Sequence, residues 1–121
     1  MSGRTTEERL LHYALSLPET ELAQPWGHDL AKVRGKTFVF FGGEAGEAGQ
    51  LSLTVKLPIS GEMALALPEC EPARYGLGKS GWVVFRTAAD APVDTATLEG
   101  WIRQSYRAVA PKKLAALVLE P

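Results

Sequence analysis

The chain is poor in the residues that would tie it to several functional classes. Cys70 is its one cysteine among 121 residues, so no disulfide can close within it and a disulfide scaffold is excluded. No apolar run approaches the roughly 20 residues that span a bilayer. The opening "MSGRTTEERL" lacks the apolar stretch of a signal peptide, and the cytoplasm is the expected location. Two histidines, His12 and His28, with no further ligand cluster make a poor zinc site, so no metal and no cofactor are expected. Cys70 lies between Glu69 and Glu71, whose charges disfavour a thiolate, and no serine stands in a nucleophile-elbow pattern. No catalytic residue is named on these grounds and an enzyme is not expected. His28 beside Asp29 is the best acid-base candidate, although a structural role suits the pair better.

What is present fits one α+β domain over residues 1–121, with enough apolar content, 45%, to bury a core without staples. The net charge of −1 conceals an asymmetry. Residues 1–71 hold six Lys/Arg against ten Asp/Glu, and residues 72–121 hold seven against four, so the two parts carry −4 and +3. A basic patch on the second part follows if those cations share a face; charges that merely keep helices wet are the simpler account.

Thr5 and Glu8 form a capping-box pattern ahead of Leu10, Tyr13, Ala14 and Leu17, which recur at helical spacing. The stretch "PETELAQPWGHD" reads as an ordered loop. "LAKVRGKTFVFF" is two β-prone runs around a turn at Arg34-Gly35-Lys36, and "FGGEAGEAGQ" is a loop tip whose Glu44 and Glu47 would repel an anion. In "LSLTVKL" Leu51, Leu53, Val55 and Leu57 take one face and Ser52, Thr54 and Lys56 the other, which predicts a strand with one buried and one largely wet face. Pro58 suits the first turn of a second helix with Met63, Ala64 and Leu67 as its apolar stripe. "WVVFRT" is a further strand, with "YGLG" a candidate short one before it. Asp94 caps a last helix through Leu98, Trp101, Ile102, Ser105 and Val109, ended by Pro111. The expected order is α-β-β-β-α-β-β-α, a two-layer domain with helices over one face of an antiparallel sheet.

The stretch "RYGLGKSGW" carries two phosphate-binding patterns, a GxGxxG at Gly76, Gly78 and Gly81 and a P-loop tail at Gly78-Lys79-Ser80. Both need a strand before and a helix after, because the phosphate rests on the helix N-terminus. Here a strand follows, and Ala73 occupies the first glycine position of the P-loop, so no nucleotide cofactor is expected. A glycine-rich turn feeding a strand is the simpler reading. Lys79 close to Trp82 could meet a nucleic-acid backbone and stack on a base, but Trp82 at a strand start is favoured as core.

Several local words in order resemble the MmcQ/YjbR-like family. Its pattern runs from "LPG" at a helix end through "PFG", a "K-V-x-GK-x-F" hairpin, an "L-x-L-K" strand and a "W-x-x-V" strand to a helix with "SY". Here these are "LPET", "PWGHD", "KVRGKTF", "LSLTVKL", "GKSGWVVF" and "RQSYRAVAPKK", covering nearly the whole chain. Where many members carry Tyr-His-x-Asn-Lys and a histidine beside the tryptophan, this chain keeps Tyr75 and Lys79 and has Gly81 in the histidine's place. The resemblance implies a secretion-chaperone-like α+β fold and a "double wing" DNA-binding role. On that basis the expected function is a non-catalytic DNA-binding or regulatory module using Lys36, Lys56, Lys79, Trp82 and Trp26 on the wet side of the sheet. A protein-interaction or dimerising module comes second. A small-molecule binder or enzyme around Trp26, His28 and Asp29 comes third. A net charge near zero already limits non-specific DNA affinity.

Overall fold

Residues 6–24, 28–41, 50–74, 77–88 and 91–118 are described by the computed structural model; Thr5, Trp26 and the glycine-rich segment 42–49 lie outside them. A first helix, α1 (Thr6–Leu15), buries Leu10 and Ala14 and ends just before Pro18. Then come β1 (Thr20–Ala23), β2 (Leu30–Val33), β3 (Lys36–Phe41), β4 (Gln50–Lys56), the short α2 (Gly61–Leu65), β5 (Cys70–Pro72), a 3-10 turn (Leu77–Ser80), β6 (Trp82–Ala88), α3 (Thr95–Val109) and α4 (Lys112–Ala115). The strands form one antiparallel sheet in the order β1-β2-β3-β4-β6-β5. The class is the expected α+β, with one more strand at the edge than foreseen: the stretch expected as a loop after Pro18 includes β1. No helix among the described residues is long and apolar enough to cross a membrane.

Alternation in β4 sets the layers. Leu51, Leu53 and Val55 pair across β6 with Thr87, Phe85 and Val83, and Leu53 and Val55 pair across β3 with Phe41 and Val39. These side chains meet Leu98, Ile102 and Tyr106 of α3 and Leu10 of α1 in one core. Between Ala31 and Lys32 the β2–β3 register slips by one, leaving Phe38 as an extra residue of β3. The bulge lets both Phe38 and Val39 turn inward, where strict alternation would expose one of them. Phe38 then meets Tyr106 edge-on, with ring centroids 5.2 Å apart.

The α3 helix is tied down by three consecutive buried polar residues. Ser105 Oγ accepts from the Lys56 N–H at 2.8 Å and donates to the Phe38 carbonyl, bridging β3 and β4 beside the bulge, beyond their last paired residues. Gln104 Oε1 accepts from the N–H groups of Ile59 (2.9 Å) and Ser60 (3.0 Å), and its Nε2 donates to Ser60 Oγ, which holds the turn into α2. Tyr106 Oη donates to the Pro18 carbonyl at 2.6 Å, fixing the end of α1. Asp94 caps the helix as expected, accepting from the N–H groups of Ala96 and Thr97; the hydrogen bonds from Thr97 hold its carboxyl below the usual range.

Two expectations change at α2 and at the turn before β6. Pro58 precedes the helix rather than opening it, and of its apolar stripe only Ala64 reaches the core; Met63 is 77% exposed and Leu67 is exposed as well. Five residues give too little helix to bury a full face. The segment expected as a short strand at "YGLG" is the 3-10 turn at its Leu77 and Gly78, and β5 lies earlier.

Strain accompanies two tight turns. Glu19 stands where the resembled pattern has glycine and takes φ +55°, and Arg34 takes φ +51° beside Gly35 at φ +80° in the two-residue β2–β3 turn. Arg34 and Glu19 pair at 2.6 Å, but both are more than half exposed, so the pair adds little. Asparagine tolerates this backbone better than arginine. Arg34→Asn is therefore expected to stabilise the domain by about 0.5 kcal/mol, read as a rise in Tm of a few degrees or less; a fall would show that the exposed ion pair outweighs the turn.

Candidate nucleic-acid interface

The helices cover one face of the sheet, and the alternation that buries Leu53 sends its neighbours to the other. On that second face Thr54 lies between Phe40 of β3 and Val84 of β6, and Lys56 is directly opposite Trp82. Phe40 and Trp82 reach across Thr54, with ring centroids 5.6 Å apart at 65°. Ser52 opposes Arg86, and Glu71 on β5 opposes Val84 and pairs with Arg86 at 3.3 Å. On β2, Lys32 sits between Glu21 and Thr37. The face expected to be largely wet is thus mixed: Leu30, Ser52 and Val84 are buried, and Phe40 and Trp82 are half-buried. Trp82 is neither plain core nor fully exposed, because a strand-end position on the face away from the helices buries only part of the ring.

Of the cations expected on this face, the register places Lys56 there. Lys56 is half-buried beside Trp82, and Lys79 is exposed on the 3-10 turn three residues before it. Lys36 begins β3 at the same end of the sheet, since β3 and β6 start where β4 ends. Its register partner, however, is Val33, a core residue, so Lys36 stands on the helix side rather than on the open face. Trp26 lies outside the described residues. The residues that sequence reasoning missed are Lys32, Phe40 and Arg86. Alternation within "KTFVFF" could have singled out Phe40, but the bulge at Phe38 breaks the period, and the β4–β6 pairing that places Arg86 spans α2 and β5.

Gly78 and Gly81 of "GLGKSG" serve backbone geometry, and Gly76 lies outside the described residues. A Cβ on Gly78 would come within 2.9 Å of the Pro72 side chain and 3.0 Å of the Ala73 carbonyl oxygen, and Gly81 has φ +91°. Their turn leads into β6 and not into a helix, so no helix dipole faces a phosphate there. Among the described residues no group of three His, Cys, Asp or Glu could hold a metal.

The acid-base candidates come together only in part. Gln24 Nε2 donates to Asp29 Oδ1, and Asp29 gives its backbone carbonyl to the Phe41 N–H at 2.9 Å. Burial, with Asp29 nearby, raises the Glu7 carboxyl above its usual range. The Phe41 bond ties the loop to β3. Burial and the Glu69 charge push the Cys70 thiol up to about 11, which makes it a poor nucleophile at neutral pH.

No curated protein matches the sequence. A crystal structure of a Deinococcus radiodurans protein with a DUF419 domain is similar in fold, with a TM-score of 0.68 and 23% identity over 98% of this chain and 90% of that one. The YjbR family model matches residues 15–108, from the end of α1 to the last turn of α3, and so takes in the "LPET" turn, the bulged hairpin, β4, the Trp82 strand and the Gln104-Ser105-Tyr106 staple. The chain belongs to the YjbR family.

Proposed function

We propose that this YjbR domain is a non-catalytic nucleic-acid-binding module, and that it takes single strands across the open face of the sheet. The observation that carries the reading is the half-buried Phe40–Trp82 pair with Lys56 directly opposite Trp82. An aromatic pair on an antiparallel sheet offers a stacking platform, and cations around it meet the backbone. Lys32, Lys56 and Lys79, which have no ion-pair partner among the described residues, supply the charge, because Arg86 is neutralised by Glu71. Three phosphate contacts predict that log K falls with log salt at a slope of about −2 for a single strand. Binding is therefore expected to be weak and salt-sensitive.

The test is a fluorescence-anisotropy titration with single- and double-stranded oligonucleotides from low to physiological salt. The single strand is expected to bind more tightly. Lys56→Ala and Lys79→Ala should each weaken binding to all sequences alike and reduce the single-strand slope by about 0.7. Trp82→Ala should cost about 1–3 kcal/mol, the usual contribution of one stacked base. Absence of binding to either oligonucleotide at low salt sinks the proposal.

A further inference from the structure

On the helix side the surface has a different character. Short-range backbone bonds hold the chain on both sides of α2, from Gly61 N–H to Leu57 O, from Ala64 N–H to Ser60 O and from Leu67 N–H to Ala64 O. Ile59 precedes the helix, Met63 lies on it and Leu67 follows it, at intervals of four residues. They are 78%, 77% and 41% exposed, a run of large apolar side chains that a solvated surface does not need. Leu67 is also one wall of a cleft of about 270 Å³ that lies between the end of α2, β6 and the start of α3. Phe85 and Trp101 meet edge-on in its lining, at a centroid distance of 6.0 Å, with Leu98 beside them. Glu69 and Asp94 supply the charge of the lining, which among the described residues contains no cation. Glu62, beside Met63, is exposed on α2, and neither it nor Glu69 has an ion-pair partner among the described residues.

We propose that this strip and cleft together form a docking surface for a basic amphipathic helix of a partner protein. The partner's apolar residues, spaced three and four apart, lie on Ile59, Met63 and Leu67. A lysine or arginine next to them enters the cleft, where its methylenes pack on Phe85 and Trp101 and its charge meets Glu69 and Asp94. The charge pattern selects this occupant. A two-fold pairing of this face with a second copy would set one acidic surface, with Glu62, Glu69 and Asp94, against another, a like-charge juxtaposition that disfavours the symmetric dimer. The surface lies on the helix side of the sheet, so it is independent of the nucleic-acid reading.

The test uses the full chain and two labelled synthetic helical peptides of 18 residues. Both carry leucines at three- and four-residue spacing; one has lysine and arginine at the remaining positions and the other glutamate. The basic peptide is expected to bind saturably and at least tenfold more tightly than the acidic one. Met63→Glu and Glu69→Lys, both at exposed positions, should each weaken it tenfold or more with Tm unchanged, and Met63→Glu should leave the oligonucleotide titration as it was. Equal affinity for the two peptides, or no loss in Met63→Glu, overturns the proposal. So does sedimentation of the protein alone as a dimer that Met63→Glu dissociates, since the face would then belong to a second copy.

Discussion

Leu53→Asp is expected to leave no folded domain. Leu53 is fully buried at the centre of β4, with Phe41 on one side and Phe85 on the other. A carboxylate there has no partner, and it must either be buried charged or drag the sheet open. Burial of an unpaired charge costs more than the roughly 4–5 kcal/mol that marks exceptional mutations, against a total stability on the order of 5–15 kcal/mol. Circular dichroism should show no cooperative melt. Lys56→Asp supplies the control, because Lys56 occupies the same strand with its side chain on the other face. That variant should melt cooperatively close to wild type. If Leu53→Asp melts like wild type, or the two variants behave alike, the register of β4 is wrong.

Ser105→Ala carries the second large effect, although it removes a single oxygen. The hydroxyl joins two backbone groups from different strands, the Lys56 N–H and the Phe38 carbonyl, and Ser105 is fully buried, so water cannot replace it. Each orphaned group costs about 1–3 kcal/mol, so a loss of about 2–6 kcal/mol is expected for the pair. For a chain of this length that corresponds to a fall in Tm of about 10 °C or more. Hydrogen exchange at the Lys56 amide should accelerate beyond the global change, which distinguishes a lost bridge from a general loss of packing. Tyr106→Phe, by contrast, frees only the Pro18 carbonyl and should cost about 1 kcal/mol. Equal falls in the two variants would contradict the bridging role of Ser105.

The "SY" of the family pattern thus has a structural meaning here. Ser105 and Tyr106, with Gln104 before them, hold β3, β4, the turn into α2 and the end of α1 to one helix. Spacing alone placed Ser105 on the helix with Leu98 and Ile102, but nothing local marks a serine as a bridge between two strands far away in the chain. The candidate site shows the same division. Lys56 was placed on the face opposite Leu53 by strict alternation, and Lys79 was placed in a turn by the glycines around it. Lys36 was misplaced because its facing depends on pairing with Val33, across a turn and beside a bulge.

By itself the sequence determined the elements whose side chains repeat against a uniform environment. β4 alternates because one face meets the core, α3 recurs at helical spacing behind an aspartate that can only serve its own first turn, and Gly35 and Gly81 occupy positive φ where other residues strain. These are short-range constraints, and they leave their mark within a few residues. The tertiary structure decided what depends on partners distant in the chain. β1 is a strand because β2 offers it an edge, Phe38 is buried because a bulge turns it toward Tyr106, and Phe40 meets Trp82 because β4 and β6 pair across α2 and β5. Met63 and Leu67 have the spacing of a buried stripe and are exposed, because apolar periodicity specifies which side chains share a face but not whether the fold supplies anything to cover it.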